Sequence, residues 1–212
     1  MITSVLFDLD GVLVFTDKYH YLAWKKIADE MGIYFDEEIN NRLRGVSRMD
    51  SLEIILEKYE GTPLSEEKKI DLATRKNDFY RELLGNMTPA DVTDSVRDTL
   101  SELKRRGYNI ALGSSSKNAK FILEKVDLLN AFDEISDGTN IVNSKPNPEV
   151  FVKAANFLEE PCCHCLVVED AEAGINAGKA AGMATVAIGD AAGLHIADKD
   201  INEFSDLLDI LL

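Results

Sequence analysis

The apolar positions of this chain change period along its length, and each change marks an element. The run Val5-Leu6-Phe7 opens the chain and predicts a strand covered on both faces. After Thr16 the spacing turns helical, with Tyr21, Trp24, Ile27, Ala28 and Met31 recurring every three or four residues as far as Gly32. Asp17 is placed to cap that helix. Further helices are expected over 36–43, 48–59 and 65–84, the last carrying Ile70, Leu72, Ala73, Phe79 and Leu83. From Met87-Thr88-Pro89 onward helices and short strands alternate. Helices are read over 93–106, 117–126, 146–158, 173–181 and 202–211, and strands over 109–113, 133–136, 164–168 and 183–188.

Such alternation with short connections implies an α/β protein, a Rossmann-like doubly wound parallel sheet with helices on both faces. The all-helical stretch then reads as an insertion after the first strand. Residues 1–16 and 87–212 form the expected core and residues 17–86 an inserted α-helical cap domain. A chain of 212 residues is long enough to bury such a core.

This architecture directs attention to one rim, because ligands of open parallel sheets bind beyond the carboxyl ends of the strands. After the first strand stand Asp8 and Asp10, followed by Gly11, which can turn the backbone sharply. In an extended chain the two acids would share a face roughly 6 to 7 Å apart. Like charges that close raise each other's pKa unless a cation or donors intervene. Taken alone, the pair also fits solvated strand-end acids. After the second strand come Ser114-Ser115-Ser116-Lys117-Asn118, near the third Ser144-Lys145-Pro146, and after the fourth Glu169-Asp170.

Asp8, Asp10, Glu169 and Asp170 offer only oxygen, which suits a hard divalent ion such as Mg²⁺. Ser114 leads toward a helix start and Lys145 adds a positive charge, so the same rim suits an anion. The simplest anion is a phosphoryl group that an aspartate attacks.

Net charge bounds the partners. Lys and Arg number 23 against 38 Asp and Glu, a formal charge of −15, which disfavours nucleic acid or an anionic membrane. No apolar run reaches a membrane span, and neither a basic leader nor a cleavage site precedes the first strand, so a cytoplasmic protein is expected. Cys162, Cys163 and Cys165 are too close in sequence to staple distant loops, which fits a reducing compartment. With His164 they suggest zinc, but neighbours entering a strand point to opposite faces and lack tetrahedral spacing. Small buried apolar side chains account for them better.

The ordered set Asp8-Leu9-Asp10-Gly11-Val12, Ser114, Lys145 and Glu169-Asp170 resembles the four motifs of the haloacid dehalogenase superfamily of Mg²⁺-dependent phosphotransferases. The resemblance implies Asp8 as nucleophile, Asp10 as general acid and base, and Ser114 and Lys145 as phosphate ligands. It implies Asp8, the Asp10 carbonyl, Glu169 and Asp170 around magnesium. Within that superfamily the chain is most similar to the bacterial β-phosphoglucomutase family. The stretches that carry this are Tyr19-His20 with Trp24, Gly45-Val46-Ser47-Arg48 with Asp50-Ser51-Leu52, Arg75-Lys76-Asn77-Asp78, Thr88-Pro89-Ala90-Asp91-Val92, Ser116-Lys117-Asn118 and Ser144-Lys145-Pro146.

That likeness implies conversion of β-glucose 1-phosphate to glucose 6-phosphate through an aspartyl-phosphate enzyme and a β-glucose 1,6-bisphosphate intermediate. A monomer acting on a phosphorylated hexose is expected. His20, Trp24, Gly45, Val46, Ser47, Arg48, Lys76, Ser115, Ser116, Lys117 and Asn118 become substrate-binding candidates, and Thr16 is placed to orient the transferring group. Arg48 suits the distal phosphate through its two-pronged guanidinium. Closing the insert over the core would exclude water from the aspartyl phosphate. Trp24 falls on the apolar stripe, which favours core packing over sugar contact, while Lys76 fits a solvated helix face as well as a sugar-phosphate contact. Phe15 stands where relatives carry an acidic or polar residue and Ala171 where a serine is common. Two rivals remain: a sugar-phosphate phosphatase of the same superfamily, and a phospho-signalling receiver domain, which the 17–86 insert disfavours.

Overall fold

The computed structural model describes residues 1–43 and 46–211. The chain forms two compact units, Met1–Phe15 with Met87–Leu212 and Thr16–Asn86.

The first unit is built on a six-stranded sheet, with strands β1 (Ser4–Phe7), β2 (Asn109–Gly113), β3 (Glu134–Ser136), β4 (Cys165–Glu169), β5 (Ala184–Ala187) and β6 (Lys199–Asp200). Their order is β3-β2-β1-β4-β5-β6 and every pairing is parallel. All four residues of β1 are buried, as an apolar strand between two neighbours must be. The strand order reverses between β1 and β4, which sets Phe7 beside both Leu112 and Val168. The residues that follow, Asp8, Gly113-Ser114 and Glu169, therefore emerge at one switch point.

Helices α5 (Asp94–Arg105), α6 (Ala119–Lys125), α7 (Glu149–Phe157), α8 (Glu172–Ala180) and α9 (Leu207–Ile210) complete this unit. Helix α7 buries Val150, Phe151, Ala154 and Ala155 in one cluster with Leu6, Ala111, Val167 and Ala177. Glycine matters where helix meets sheet: a Cβ on Gly113 would overlap the Phe151 ring.

The second unit carries α1 (Asp17–Glu30), α2 (Glu37–Asn41), α3 (Arg48–Leu56) and α4 (Glu66–Leu84). Its core gathers Trp24, Ile27, Ala28, Phe35, Leu52, Ile55 and Leu72. Gly32, at φ +68°, ends the first helix in a conformation that glycine adopts without strain. Ser47 and Ser65 cap α3 and α4, accepting N–H bonds from Asp50 at 3.2 Å and Lys68 at 3.3 Å.

Several expected boundaries shift, each for a local reason. Asp17 is the first helical residue rather than the cap, a position Thr16 takes without a side-chain capping bond. Helix α6 starts at Ala119 instead of 117, because the Ser114 and Ser116 hydroxyls accept the N–H groups of Ser116 and Asn118, both at 3.2 Å, and hold that stretch as turns. Helix α7 starts at Glu149 after Pro146 and Pro148, whose preceding residues are biased away from helix. The helix expected over 202–211 divides into a 3₁₀ turn, Phe204–Asp206, and the single turn of α9. The edge strand β6, two residues long, is too short to leave a period in the sequence.

Candidate active site

Beyond β1 and β4 the structure brings four charged side chains together. The Lys145 ammonium bonds Asp8 Oδ1 and, at 2.7 Å, Glu169 Oε1. Lys145 and Asp8 are nearly buried, and Glu169 is only 1% exposed. One oxygen each from Asp8, Glu169 and Asp170 fall within 4.8 Å of one another. The second Glu169 oxygen accepts the N–H groups of Asp170 at 2.9 Å and Ala171 at 3.0 Å. Ala171 thus contributes through its main chain.

Two glycines let this cluster close. Gly11 sits at φ +85°, its N–H reaches the Val14 carbonyl at 2.7 Å, and a Cβ there would overlap the Asp170 carboxylate. A Cβ on Gly174 would overlap the Glu169 carboxylate.

The electrostatics follow from burial and crowding. Burial pulls the Lys145 pKa down, but the charges of Asp8 and Glu169 more than reverse this, so the ammonium is held above its ordinary value. Burial pushes the Glu169 carboxyl up. Asp170 is pushed up to about 8, by burial first and then by Asp8 and Glu169. Three carboxylates against one ammonium leave a surplus of negative charge in an all-oxygen donor set. That composition fits a hard divalent cation, and Asp8, Glu169 and Asp170 would hold it.

The Asp10 carboxylate lies outside this group of three, although its charge reaches Asp170. Ser114 is buried, and the Ser115 Oγ accepts the Lys145 N–H at 3.5 Å. Ser116 accepts Gly138 N–H through its carbonyl at 3.1 Å. Asn118 is buried at the start of α6 and Lys117 is exposed. The hydroxyl turns separate Ser114 from the start of α6 by four residues.

Within the inserted unit a second cluster forms. Lys76, 3% exposed, places its ammonium 2.8 Å from His20 Nδ1, and 4.9 Å and 4.6 Å from the ring centres of Trp24 and Tyr80. The solvated-face reading of Lys76 is therefore excluded. Burial, then Lys76 and Arg48, hold His20 well below the ordinary imidazole pKa. A neutral imidazole whose Nδ1 accepts from Lys76 carries its proton on Nε2. Half-buried Arg48 donates to Asn77 Oδ1 at 2.7 Å.

Trp24 is 2% exposed and belongs to this unit's core, so it offers no surface to a sugar. The Ser47 hydroxyl, besides capping, donates to Asp50 Oδ2 at 2.6 Å. Val46 leads into the Ser47 cap, and Thr16 is buried at the start of α1. Gly45, with Arg44, lies outside the described residues. The expectation of small buried side chains holds for Cys165 alone, whose thiol burial pushes up to about 12, since Cys162 is half-buried and Cys163 exposed; no group of three metal-ligating side chains forms there among the described residues.

Sequence reasoning passed over Glu149, whose carboxylate grips the loop that carries Lys145. An acid one residue after Pro148, in a first helical turn, was the available signal.

The chain matches the family model for haloacid dehalogenase-like hydrolases over residues 2–182 and belongs to that family. Among its relatives, a β-phosphoglucomutase of Bacillus subtilis is 41% identical over 206 residues, covering 96% of this chain and 91% of the relative. A crystal structure of β-phosphoglucomutase from Clostridium difficile superimposes with a TM-score of 0.90 at 38% identity, covering 98% of this chain and 93% of that one. A phosphorylated carbohydrates phosphatase of Thermotoga maritima is 29% identical over 182 residues, covering 85% of this chain and 82% of the relative.

Proposed function

We propose that this protein is a β-phosphoglucomutase, interconverting β-D-glucose 1-phosphate and glucose 6-phosphate by way of a β-glucose 1,6-bisphosphate intermediate. The observation that carries the chemistry is the buried Lys145 ammonium bridging Asp8 and Glu169 beside Asp170. The likeness to two β-phosphoglucomutases, which extends over nearly the whole chain at 41% and 38% identity, supports the choice of substrate.

In this reading Asp8 attacks the phosphorus of the 1-phosphate in the bisphosphate. The Asp8 O–P bond forms as the P–O1 bond breaks, and Asp10 delivers a proton to the departing sugar oxygen, releasing glucose 6-phosphate. In the other half-reaction the 6-hydroxyl of β-glucose 1-phosphate gives its proton to Asp10 and attacks the aspartyl phosphorus, freeing Asp8. Lys145 holds a phosphoryl oxygen and offsets its charge, with Ser114 and the hydroxyl turn from Ser115 to Asn118 as further donors. Asp8, Glu169 and Asp170, with the Asp10 carbonyl, would hold magnesium, which would supply Lewis-acid neutralisation of the transferring group. Arg48, Lys76 and His20 are assigned to the sugar phosphate, and Thr16 to the transferring group.

The test is product identity. Incubation with β-glucose 1-phosphate, Mg²⁺ and a trace of the bisphosphate should yield glucose 6-phosphate without matching inorganic phosphate. Stoichiometric free phosphate would instead establish the phosphatase reading that the Thermotoga relative favours.

A further inference from the structure

The loop that delivers Lys145 has little apolar anchorage of its own. It enters through the half-buried Ile141, and the next residue, Val142, is 89% exposed. One carboxylate supplies three of the bonds that hold the loop. Glu149, the first residue of α7, accepts the Val142 N–H at 3.1 Å on Oε1. Its Oε2 accepts the Asn143 N–H at 2.9 Å and the Asn143 Nδ2–H at 3.1 Å.

The clamp is itself braced. Lys153, one turn further along α7, pairs with Glu149 Oε1 at 2.8 Å and also donates to the Asn140 carbonyl. These bonds, with Lys153 leading, hold the Glu149 carboxyl down at about 2, so it stays ionised wherever the protein is folded and assayed. On the loop's far side the Lys145 N–H reaches Ser115 Oγ at 3.5 Å, and Asn147 N–H bonds the Ser144 carbonyl at 3.1 Å. Lys145 thus lies between two tethers, and the stronger is charge-assisted.

Resting on the phosphoryl-transfer reading above, we propose that Glu149 is a positioning residue for phosphoryl transfer, fixing the 142–145 loop so that the Lys145 ammonium stays seated between Asp8 and Glu169. Its carboxylate takes three N–H donors at once, which a neutral amide of the same length cannot do, since one end of that amide would itself present donors to the loop. Loss of the clamp leaves Lys145 with its own bonds but on a backbone free to shift. A displacement of about 1 Å at a charge-bearing group costs on the order of a hundredfold in rate.

The test combines two measurements. Lys145 is protected in the parent, its side chain only 6% exposed. Acetylation by an N-hydroxysuccinimide ester, read by peptide mass, should label Lys145 at least tenfold faster in Glu149→Ala and in Glu149→Gln, with the half-exposed Lys68 unchanged. Phosphorylation of Asp8 by acetyl phosphate should slow roughly ten- to a hundredfold in Glu149→Ala. In a Lys145→Ala background the same Glu149 change should cost nothing further in rate, while its effect on the urea midpoint persists.

Parent-level labelling of Lys145 in both variants, or equal rate losses in the two backgrounds, would overturn the proposal. Glu149→Gln keeps the test open if the alanine variant does not fold. A parent protein that never forms a phosphoaspartate would defeat the functional reading instead, and the labelling result would still decide whether Glu149 seats Lys145.

Discussion

Replacing Gly174 by alanine sets two effects of opposite sign against each other at the acidic cluster. Gly174 lies in the first turn of α8, where alanine in place of glycine favours helix by at most about 1 kcal/mol. The added Cβ, however, would overlap Cδ and Oε1 of Glu169. Glu169 cannot simply swing aside, because it is 1% exposed and bonded to the Lys145 ammonium and two backbone N–H groups. Overpacking of a closed site costs about 1–3 kcal/mol, and each bond lost by a buried charged group costs a similar amount. The clash therefore wins, and Gly174→Ala should destabilise the protein by about 1–5 kcal/mol in urea unfolding. Mg²⁺ affinity should fall roughly ten- to a hundredfold in a calorimetric titration, as when a ligand's supporting shell is disturbed. Gly178→Ala, on the same helix, meets Thr185 Cγ2 at 3.0 Å and Val167 at 3.2 Å, where small shifts suffice, and should leave Mg²⁺ binding unchanged. A Gly174→Ala protein that is more stable than the parent and binds Mg²⁺ equally well would refute the packing argument.

Asp8→Asn should abolish turnover while leaving a folded protein with a urea midpoint near the parent's; retained glucose 6-phosphate formation would remove Asp8 as nucleophile. Mg²⁺ binding should release close to one proton at pH 7, because Asp170 is pushed up to about 8 in the metal-free protein and must ionise to bind the ion. The sign for stability follows: the unfolded carboxyl ionises near 3.8 while the fold keeps its proton to about 8, so metal-free stability falls between those values and Mg²⁺ recovers it. Mg²⁺ affinity that does not change between pH 6 and 9, measured with the proton count from calorimetry in two buffers, would show that Asp170 does not take part.

The parallel sheet was legible because its strands are short apolar runs separated by amphipathic helices, and that period survives in the chain itself. Convergence of Asp8, Lys145, Glu169 and Asp170 was legible for a topological reason: they follow strand ends, and strand ends of a parallel sheet share a rim. Features set by particular side-chain bonds or packing partners were not. The starts of α6 and α7 depend on two serine hydroxyls that each accept an N–H two residues on, and on the bias away from helix before two prolines. Lys76 reads as one more charge on a helix until its ammonium is found against His20 and two aromatic rings. Trp24 falls on the apolar stripe of its helix, and packing places it in the core as that position implies. Glu149 leaves the weakest trace, since an acid in a first helical turn is ordinary and nothing local shows that it binds a loop six and seven residues upstream.

Charge ties composition to chemistry. A chain of net charge −15 would repel a phosphorylated sugar unless positive charge were concentrated where the anion lands. On the proposed reading two groups of cations meet that need. One lysine is fully committed between Asp8 and Glu169, and a cluster on the inserted unit gathers Lys76, Arg48 and a neutral His20. The first arrangement still carries more carboxylate than ammonium, and a divalent cation held by Asp8, Glu169 and Asp170 would offset the charge that opposes a phosphoryl group near Asp8. Lysine and metal ligands are consequently not two independent sites. Glu169 serves both, which makes its position, between Lys145 on one side and Gly174 on the other, the point where packing of the sheet and reactivity of the rim constrain each other.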